Sequence, residues 1–303
     1  MLVTSIYFLT FLSSLVTEKV SDQTMRRRGK KQHVLSDLWQ IVKEEGEPYS
    51  FHNSQVEKLC QKHGFSNKYD LTKIDSSKVL PENMIQDDVF IIHLGKGEHR
   101  FVKGIKMGYH KLEPPSNTIK IPYLPHHLDS LDEGESGLLS LVYNQGIVQH
   151  FVTGDRMENV RIHLPGRTRK TGDNSFKYWV GPTEVEVRGL QIEMDFIIEK
   201  QDQVAFAEAK RGEKWRDFSV SQIYLPFRKL LKMKDRLKDE FDVVCMFVHM
   251  QKKVSGNATV FIHQYNFEQP ERIDSIRLLK SSEYILVPEP HSDSDASNCR
   301  REP

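Results

Sequence analysis

The sequence predicts an α/β (α+β) fold in which a mixed sheet is flanked by helices. Three short segments of alternating apolar residues follow one another at 183–187, 190–198 and 203–210. Apolar residues at helical spacing flank these segments at 135–152 and 219–237. Strands that follow one helix and precede another indicate a sheet with helices packed against it.

Composition limits the classes of function that this chain can have. Its 303 residues suffice for one large domain or two modest ones with a proper core. Lys and Arg number 43 and Asp and Glu 42, so the charge of +1 excludes a protein coated with basic residues. Any nucleic-acid binding must then come from local patches. The cysteines Cys60, Cys245 and Cys299 lie far apart, which excludes a disulfide scaffold and indicates a reducing, cytoplasmic compartment.

The two ends fall outside the predicted domains. In the N-terminal segment, 1–31, the apolar run 1–17 is shorter than the roughly 20 residues that cross a bilayer, and no basic residues precede it. It is a signal or anchor, a packed first helix, or an extension upstream of a start at Met25. We expect no membrane partner. Residues 291–303 have no apolar face, which predicts a disordered tail.

Residues 32–110 predict a winged-helix-like, DNA-reading module. A first amphipathic helix is followed by a second with Asn53 or Ser54 as its N-cap and Gly64 at its C-terminal stop, and then by a hairpin over 89–104. The second helix presents four polar side chains suited to base edges and phosphates: Gln55, Lys58, Gln61 and Lys62. The alternative is an ordinary solvated helix face.

Two segments connect this module to the predicted sheet. Residues 111–130 contain four prolines and predict a linker or a crossover. The segment 155–182 is basic and rich in turn residues, which favours contact of Arg167, Arg169 and Lys170 with phosphates. An ordinary solvated loop is the alternative.

The segment 203–210 separates small residues from a charged pair. Ala205, Ala207 and Ala209 share one face, which can lie closely against a helix or another sheet. Glu208 and Lys210 share the other face, at the end of an otherwise apolar strand. Both charged side chains therefore point the same way.

A turn at 201–202 fixes the register of the preceding strand. It sets Asp195 opposite Glu208 and Glu193 opposite Lys210. Facing carboxylates with Cβ atoms about 4.5–5.5 Å apart repel each other. A bridging cation relieves that repulsion, and Mg²⁺ suits one or two carboxylates plus water and phosphate oxygens. A three-residue loop would shift the register by one and remove this pairing.

Asp195, Glu208 and Lys210 together suit the hydrolysis of a phosphodiester. A metal held by the two carboxylates activates water and offsets phosphate charge. The lysine holds or deprotonates the attacking water and stabilises the pentavalent phosphate. The alternative is a solvent-facing strand end with an ordinary Glu-x-Lys pair.

The pattern Gly189…Asp195…Glu208-Ala209-Lys210 resembles the core of the PD-(D/E)XK nuclease superfamily, which includes most type II restriction endonucleases. The family order is a helix, a three-stranded antiparallel meander, a second helix and further strands. This chain offers the same order over about 130–268, with FDVVCMFVHM and ATVFIHQYNF as the further strands. The resemblance implies a restriction-endonuclease-like core, and we assign it to 131–290.

The resemblance also implies roles for single residues. Asp195 and Glu208 match the metal ligands, and Lys210 matches the catalytic lysine. Glu135 sits where many members keep a further acidic residue, and Gln222 corresponds to a glutamine that some members use near the site.

Three residues qualify this correspondence. Glu133 is a rival for the position of the further acidic residue. Met194 stands where the family motif has its proline, and Pro226 falls within the second helix, which it should kink or begin.

The resemblance implies a Mg²⁺-dependent endonuclease that cuts double-stranded DNA, sequence-specifically and as a homodimer. Two alternatives stay open. One is a structure-selective repair or junction nuclease. The other is a winged-helix DNA-binding regulator whose α/β half is only structural.

Overall fold

The computed structural model describes residues 28–123, 134–163, 174–211, 215–252 and 258–288. The helices of these ranges are α1 (28–45), α2 (Asn53–His63), α3 (Lys68–Thr72), α4 (Glu82–Gln86), α5 (Ile105–Gly108), α6 (Glu135–Asn144), α7 (Ile147–Thr153) and α8 (Ser221–Leu237). The strands are β1 (Ser50–His52), β2 (Val89–Gly95), β3 (Glu98–Lys103), β4 (Tyr109–Lys111), β5 (Thr118–Tyr123), β6 (Arg161–His163), β7 (Phe176–Val180), β8 (Thr183–Val187), β9 (Phe196–Lys200), β10 (Gln203–Arg211), β11 (Asp217–Ser219), β12 (Asp242–Lys252), β13 (Ala258–Phe267) and β14 (Ile276–Pro288). The fold is mixed α/β, as the sequence predicts.

The first part of the chain combines helices with a small sheet. Strands β1, β3 and β2 form an antiparallel sheet in that order, and the predicted hairpin is its β2–β3 pair. The N-cap of α2 is His52 rather than the predicted Asn53 or Ser54, so that Asn53 is already the first residue of the helix. The helix ends at Gly64, as predicted, in the left-handed conformation.

A larger mixed sheet forms the second part of the chain. Its strand order is β5-β14-β13-β12-β10-β9-β6. Strands β10 and β12 are parallel and are connected by α8, whereas β12, β13 and β14 are antiparallel neighbours. Helix α8 and strands β12 and β13 occupy the predicted segments. The segment 111–130 is not only a linker, since β5 within it pairs with β14 at the edge of the sheet.

Several details of the predicted meander are wrong. Strand β8 pairs with β7 in a separate two-stranded sheet, so the first strand of the meander is β6. The middle strand starts at Phe196, because residues 190–194 form no ladder. The predicted helix 135–152 is divided at Gly146, which has φ +66° and lies so close to the Arg156 carbonyl that a side chain would clash.

The large sheet separates two apolar layers. On one face α6 and α7 pack against Ala205, Ala207 and Ala209, where the small side chains admit the close approach that the sequence predicts. On the other face a second apolar cluster joins α8, β7 and β8 to α1, α2 and the small sheet. The predicted DNA-reading module and the predicted nuclease core therefore share a core.

Polar contacts also join the two parts. Strands β4 and β11 pair with each other, and the Asp217 carboxylate accepts hydrogen bonds from the hydroxyls of Ser76 and Ser77. The Arg188 amide donates to the Leu94 carbonyl at 2.8 Å, so the β2–β3 hairpin lies against the segment that follows β8. These contacts fix residues 74–77 and the hairpin relative to the large sheet.

The predictions for the chain ends fall mostly outside the described residues. Only 28–31 of the N-terminal segment are described, as the start of α1, and 291–303 are not. Across the described ranges, no helix combines the length and apolar character that a membrane span requires.

The hairpin contact predicts a specific sensitivity to substitution at Gly95. This glycine has φ +95°, and a Cβ atom would lie 2.3 Å from the Arg188 carbonyl oxygen. Gly46 has a similar φ of +87° with nothing within 4 Å. We expect Gly46→Ala to cost about 1–2 kcal/mol of unfolding free energy from backbone strain alone. Gly95→Ala should cost at least about 1 kcal/mol more. Urea unfolding measures both, and equal losses would contradict the docking of the hairpin.

Candidate active site

The β9–β10 hairpin forms the centre of the site. Its two-residue turn has Gln201 at φ +48°, and the predicted register holds from Lys200–Gln203 to Phe196–Ala207. Asp195 and Glu208 are the next positions in that register, just beyond the last paired residues. The Asp195 carboxylate turns back to accept a hydrogen bond from the Ala209 amide at 3.1 Å. The predicted pairing of Glu193 with Lys210 is not part of the ladder.

Lys210 is a buried cation with two carboxylate partners. Its side chain is only 2% exposed, and its Nζ lies 2.8 Å from Glu208 Oε1 and 2.9 Å from Glu135 Oε1. Glu135 is the first residue of α6, so this ion pair fixes the start of the helix against the end of β10. A buried ammonium is tolerated only when it is paired in this way.

The local charges set the protonation state of Lys210. Burial lowers the pKa of the ammonium, but the neighbouring carboxylates of Glu208, Asp75 and Glu135 outweigh burial and raise the pKa above its ordinary value. Lys210 is therefore an ammonium at neutral pH.

In an ordinary ion pair the pKa of the carboxyl falls, whereas the pKa of Glu208 rises in this environment. The pKa of Glu208 is raised to about 7, mainly by burial; Asp195 and Glu135 add to the rise, and Lys210 opposes it. Burial and the two carboxylates together outweigh the opposing effect of Lys210. Glu208 changes its charge near neutral pH.

Gln222 connects Glu208 to the first part of the chain. Its Nε2 donates to Glu208 Oε1 at 2.9 Å and to Asp75 Oδ1 at 3.0 Å. Its Oε1 is buried and has no partner among the described residues. Helix α8 begins at Ser221, the residue before Gln222, and includes Pro226. The proline therefore does not begin the helix, and it does not displace Gln222 from the site.

Asp75 is a member of the site that sequence reasoning missed. It lies between α3 and a short 3-10 turn, Ser77–Val79, and its backbone carbonyl accepts from the Ser219 amide at 2.9 Å. No motif surrounds Asp75, and its partners lie far along the chain. In the sequence, only its place as the acidic residue of the polar run Asp75-Ser76-Ser77 could have marked it as a candidate site residue.

The site opens into a cavity of about 600 Å³ between the two parts of the chain. The β2–β3 turn with Lys96 lines one side, and Asp195 and Glu208 line another. Among the described residues, Lys73 is a further lining cation, whereas six carboxylates line the cavity: Asp75, Glu98, Glu135, Glu193, Asp195 and Glu208. This excess of negative charge attracts a cation.

The donor set fits a magnesium ion. Among the described residues, no three His, Cys, Asp or Glu side chains form a closed metal cage. Mg²⁺ does not require one, because it keeps several waters and binds through one or two carboxylates. Asp195 and Glu208 supply those, and the unpartnered Oε1 of Gln222 can accept a hydrogen bond from a metal-bound water.

The predicted DNA-reading residues are only partly as expected. Lys58, Gln61 and Lys62 are exposed on α2, and Lys62 pairs with Asp37 at 3.1 Å. Gln55 is half-buried, because its Oε1 accepts from the His52 amide in the helix cap. The remaining predicted contacts lie outside the described residues: Arg167, Arg169, Lys170, and the rival acidic residue Glu133.

The raised pKa of Glu208 predicts a pH-dependent stability of the metal-free protein. Between its ordinary value of 4.5 and about 7, this carboxyl keeps its proton in the folded state and loses it in the unfolded state. Its contribution to stability is present at pH 5 and is lost as pH rises through 7. Glu208→Gln does not titrate there.

Urea unfolding of the wild type and Glu208→Gln at pH 5 and pH 8 measures this effect. We expect the stability of the wild type relative to the variant to decrease from pH 5 to pH 8. A constant difference would contradict the raised pKa, since the other titrating groups are common to both proteins.

Two family models match this chain. The one described as Domain of unknown function (DUF6996) covers residues 36–101, and the one described as Domain of unknown function (DUF6997) covers residues 104–285. The boundary between them follows β3. No curated protein and no solved structure matches the chain. Because the second model covers more than half of its residues, the chain belongs to the family described as Domain of unknown function (DUF6997).

Proposed function

We propose that this chain is a Mg²⁺-dependent endonuclease that hydrolyses phosphodiester bonds of double-stranded DNA, in the manner of the PD-(D/E)XK superfamily. One observation carries the proposal. Asp195, Glu208 and Lys210 converge at the end of one hairpin, and Glu135 and Gln222 from flanking helices bond to them. These are the five positions to which the resemblance gives roles.

The order of elements supports a restriction-endonuclease-like core. Helix α6 precedes the antiparallel strands β6, β9 and β10, and helix α8 follows them. Two further strands, β12 and β13, complete the sequence of elements that the superfamily has. The proposal of the core therefore rests on topology as well as on side chains.

Asp195 and Glu208 would hold the metal. When bound, Mg²⁺ activates a water molecule and offsets negative charge on the phosphate. Binding requires Glu208 in its deprotonated form, and the pKa of about 7 makes that form available at neutral pH.

Lys210 acts on the phosphate as a cation in this proposal. Its raised pKa keeps the proton on Nζ, which argues against the role of a general base. As an ammonium it donates hydrogen bonds and offsets the charge that develops on the pentavalent phosphate. Glu208 and Glu135 hold Nζ in place from two sides.

The first part of the chain would bind the duplex. Its order of helices and strands, with the sheet order β1-β3-β2, supports a winged-helix-like module. The exposed residues Lys58 and Gln61 on α2 are available for phosphates and base edges, whereas Lys62 would have to leave its ion pair with Asp37. Sequence specificity and a homodimer that cuts both strands follow from the resemblance and remain part of the proposal.

Isosteric substitutions test the catalytic roles. We expect Asp195→Asn, Glu208→Gln and Lys210→Met each to reduce the rate of duplex cleavage by more than about 100-fold, because each removes charge at the reacting phosphate. Glu199→Gln, at the far end of β9 where Glu199 bonds to His163, is the matched control. Cleavage of a labelled duplex in Mg²⁺ gives the rates, and binding of uncut duplex confirms that the variants fold.

A wild-type rate in any one of the three variants would refute its assigned role. The pattern of products also separates the alternatives. Discrete fragments from a long DNA indicate a sequence-specific enzyme, whereas an even smear or cleavage only at branched DNA indicates a repair or junction nuclease.

Metal binding should depend on pH through Glu208. Since one proton leaves this carboxyl when Mg²⁺ binds, the affinity should fall about tenfold for each pH unit below 7 and level off above it. Isothermal titration calorimetry with Mg²⁺ in two buffers of different ionisation enthalpy measures the released proton directly. Binding without proton release at pH 6 would contradict the role of Glu208 as a ligand.

A further inference from the structure

A second cavity adjoins the candidate active site. It measures about 230 Å³ and shares Lys73 and Asp75 with the larger cavity. Arg211, the residue after Lys210 at the end of β10, lines it, and so does Trp215 ahead of β11. The two cavities therefore lie on either side of Asp75.

The charge of this second cavity is opposite to that of the first. The described residues of its lining include two carboxylates, Asp70 and Asp75, and four cations: Lys31, Lys73, Lys78 and Arg211. The Asp75 carboxylate already accepts a hydrogen bond from Gln222, and Lys31 donates to the carbonyls of α3 and its C-cap. Lys73 and Lys78 are exposed at the surface of the cavity. Such a lining favours an anion.

Trp215 supplies an independent indication of the ligand. Its Nε1 is buried and has no hydrogen-bond partner among the described residues. An indole N–H can only donate, so a ligand that bonds to it must offer an acceptor and cannot be a simple cation. Leaving a buried donor unpaired costs free energy, which an anionic oxygen in this cavity would recover.

We propose that this cavity binds a backbone phosphate of the DNA strand that is cut, next to the phosphate at Asp195 and Glu208. The inference rests on the proposed function for the identity of the anion. Lys73 and Lys78 offset the phosphate charge, and the Trp215 indole donates to one of its oxygens. A phosphate bound in this cavity would position the neighbouring phosphate of the same strand at Asp195 and Glu208. The contact does not depend on the DNA sequence.

Duplex binding without divalent metal tests the inference apart from cleavage. We expect Lys78→Ala to reduce the slope of log affinity against log salt concentration by about 0.9, because one phosphate contact is lost. Trp215→Phe should weaken binding about 2- to 10-fold through loss of the N–H. The matched control is Lys120→Ala on β5, which three other strands separate from β10 in the sheet. Fluorescence anisotropy of a labelled duplex measures all three variants.

The tryptophan side chains allow a direct readout. In protein labelled with ¹⁵N-tryptophan, the indole signal that Trp215→Phe removes is that of Trp215. We expect it to shift downfield when the duplex is added. The Trp39 indole already donates to Asp87 at 2.7 Å, so its signal should stay in place.

The outcomes separate this inference from the proposed function. If duplex binding is unchanged in Lys78→Ala and Trp215→Phe, and the Trp215 signal does not move, the phosphate site is refuted and the nuclease proposal stands. If both variants weaken binding but the wild type never hydrolyses DNA in Mg²⁺, the phosphate site stands and the nuclease proposal fails. Absence of any duplex binding by the wild type refutes both.

Discussion

The buried ammonium of Lys210 is the interaction on which the rest of the site depends. A cation that is 2% exposed must have carboxylate partners, and those partners are Glu208 on the same strand and Glu135 at the start of α6. Gln222 extends the network from Glu208 to Asp75. The site therefore joins four separate stretches of the chain, and Asp75 enters it only because the first part packs on the large sheet.

The network is not neutral, and this imbalance links structure to function. Burial is the main cause that raises the pKa of Glu208 to about 7, and the carboxylates of Asp195 and Glu135 add to that rise. A site optimised for stability alone would avoid that repulsion. A cation-binding site, in contrast, requires uncompensated negative charge. The acidic lining of the larger cavity likewise favours a cation. The basic cavity beyond Asp75 has the opposite charge, which in our proposal suits a phosphate of the DNA backbone.

Much of the second part of the chain could be predicted, because periodicity reports which residues face the core. Strands β10, β12 and β13 and helix α8 follow from it, and the two-residue turn at Gln201 explains the register. Periodicity does not name a strand's partner. The pairing of β8 with β7 was therefore not predicted. Leu190 and Ile192 were assigned to a strand because they are apolar and alternate, but they are buried outside any strand. Asp75 was missed for the same reason, since its contacts depend on how the two parts pack.

Crystals grown with a short duplex and Mn²⁺ in place of Mg²⁺ would test the central claim most directly, because the anomalous signal of Mn²⁺ locates the ion. The account predicts an anomalous peak between the carboxylates of Asp195 and Glu208, with a phosphate oxygen beside it and the Lys210 ammonium in contact with the same phosphate. A structure with bound duplex and no peak between these carboxylates, or with the scissile backbone outside the cavity that they line, would contradict it.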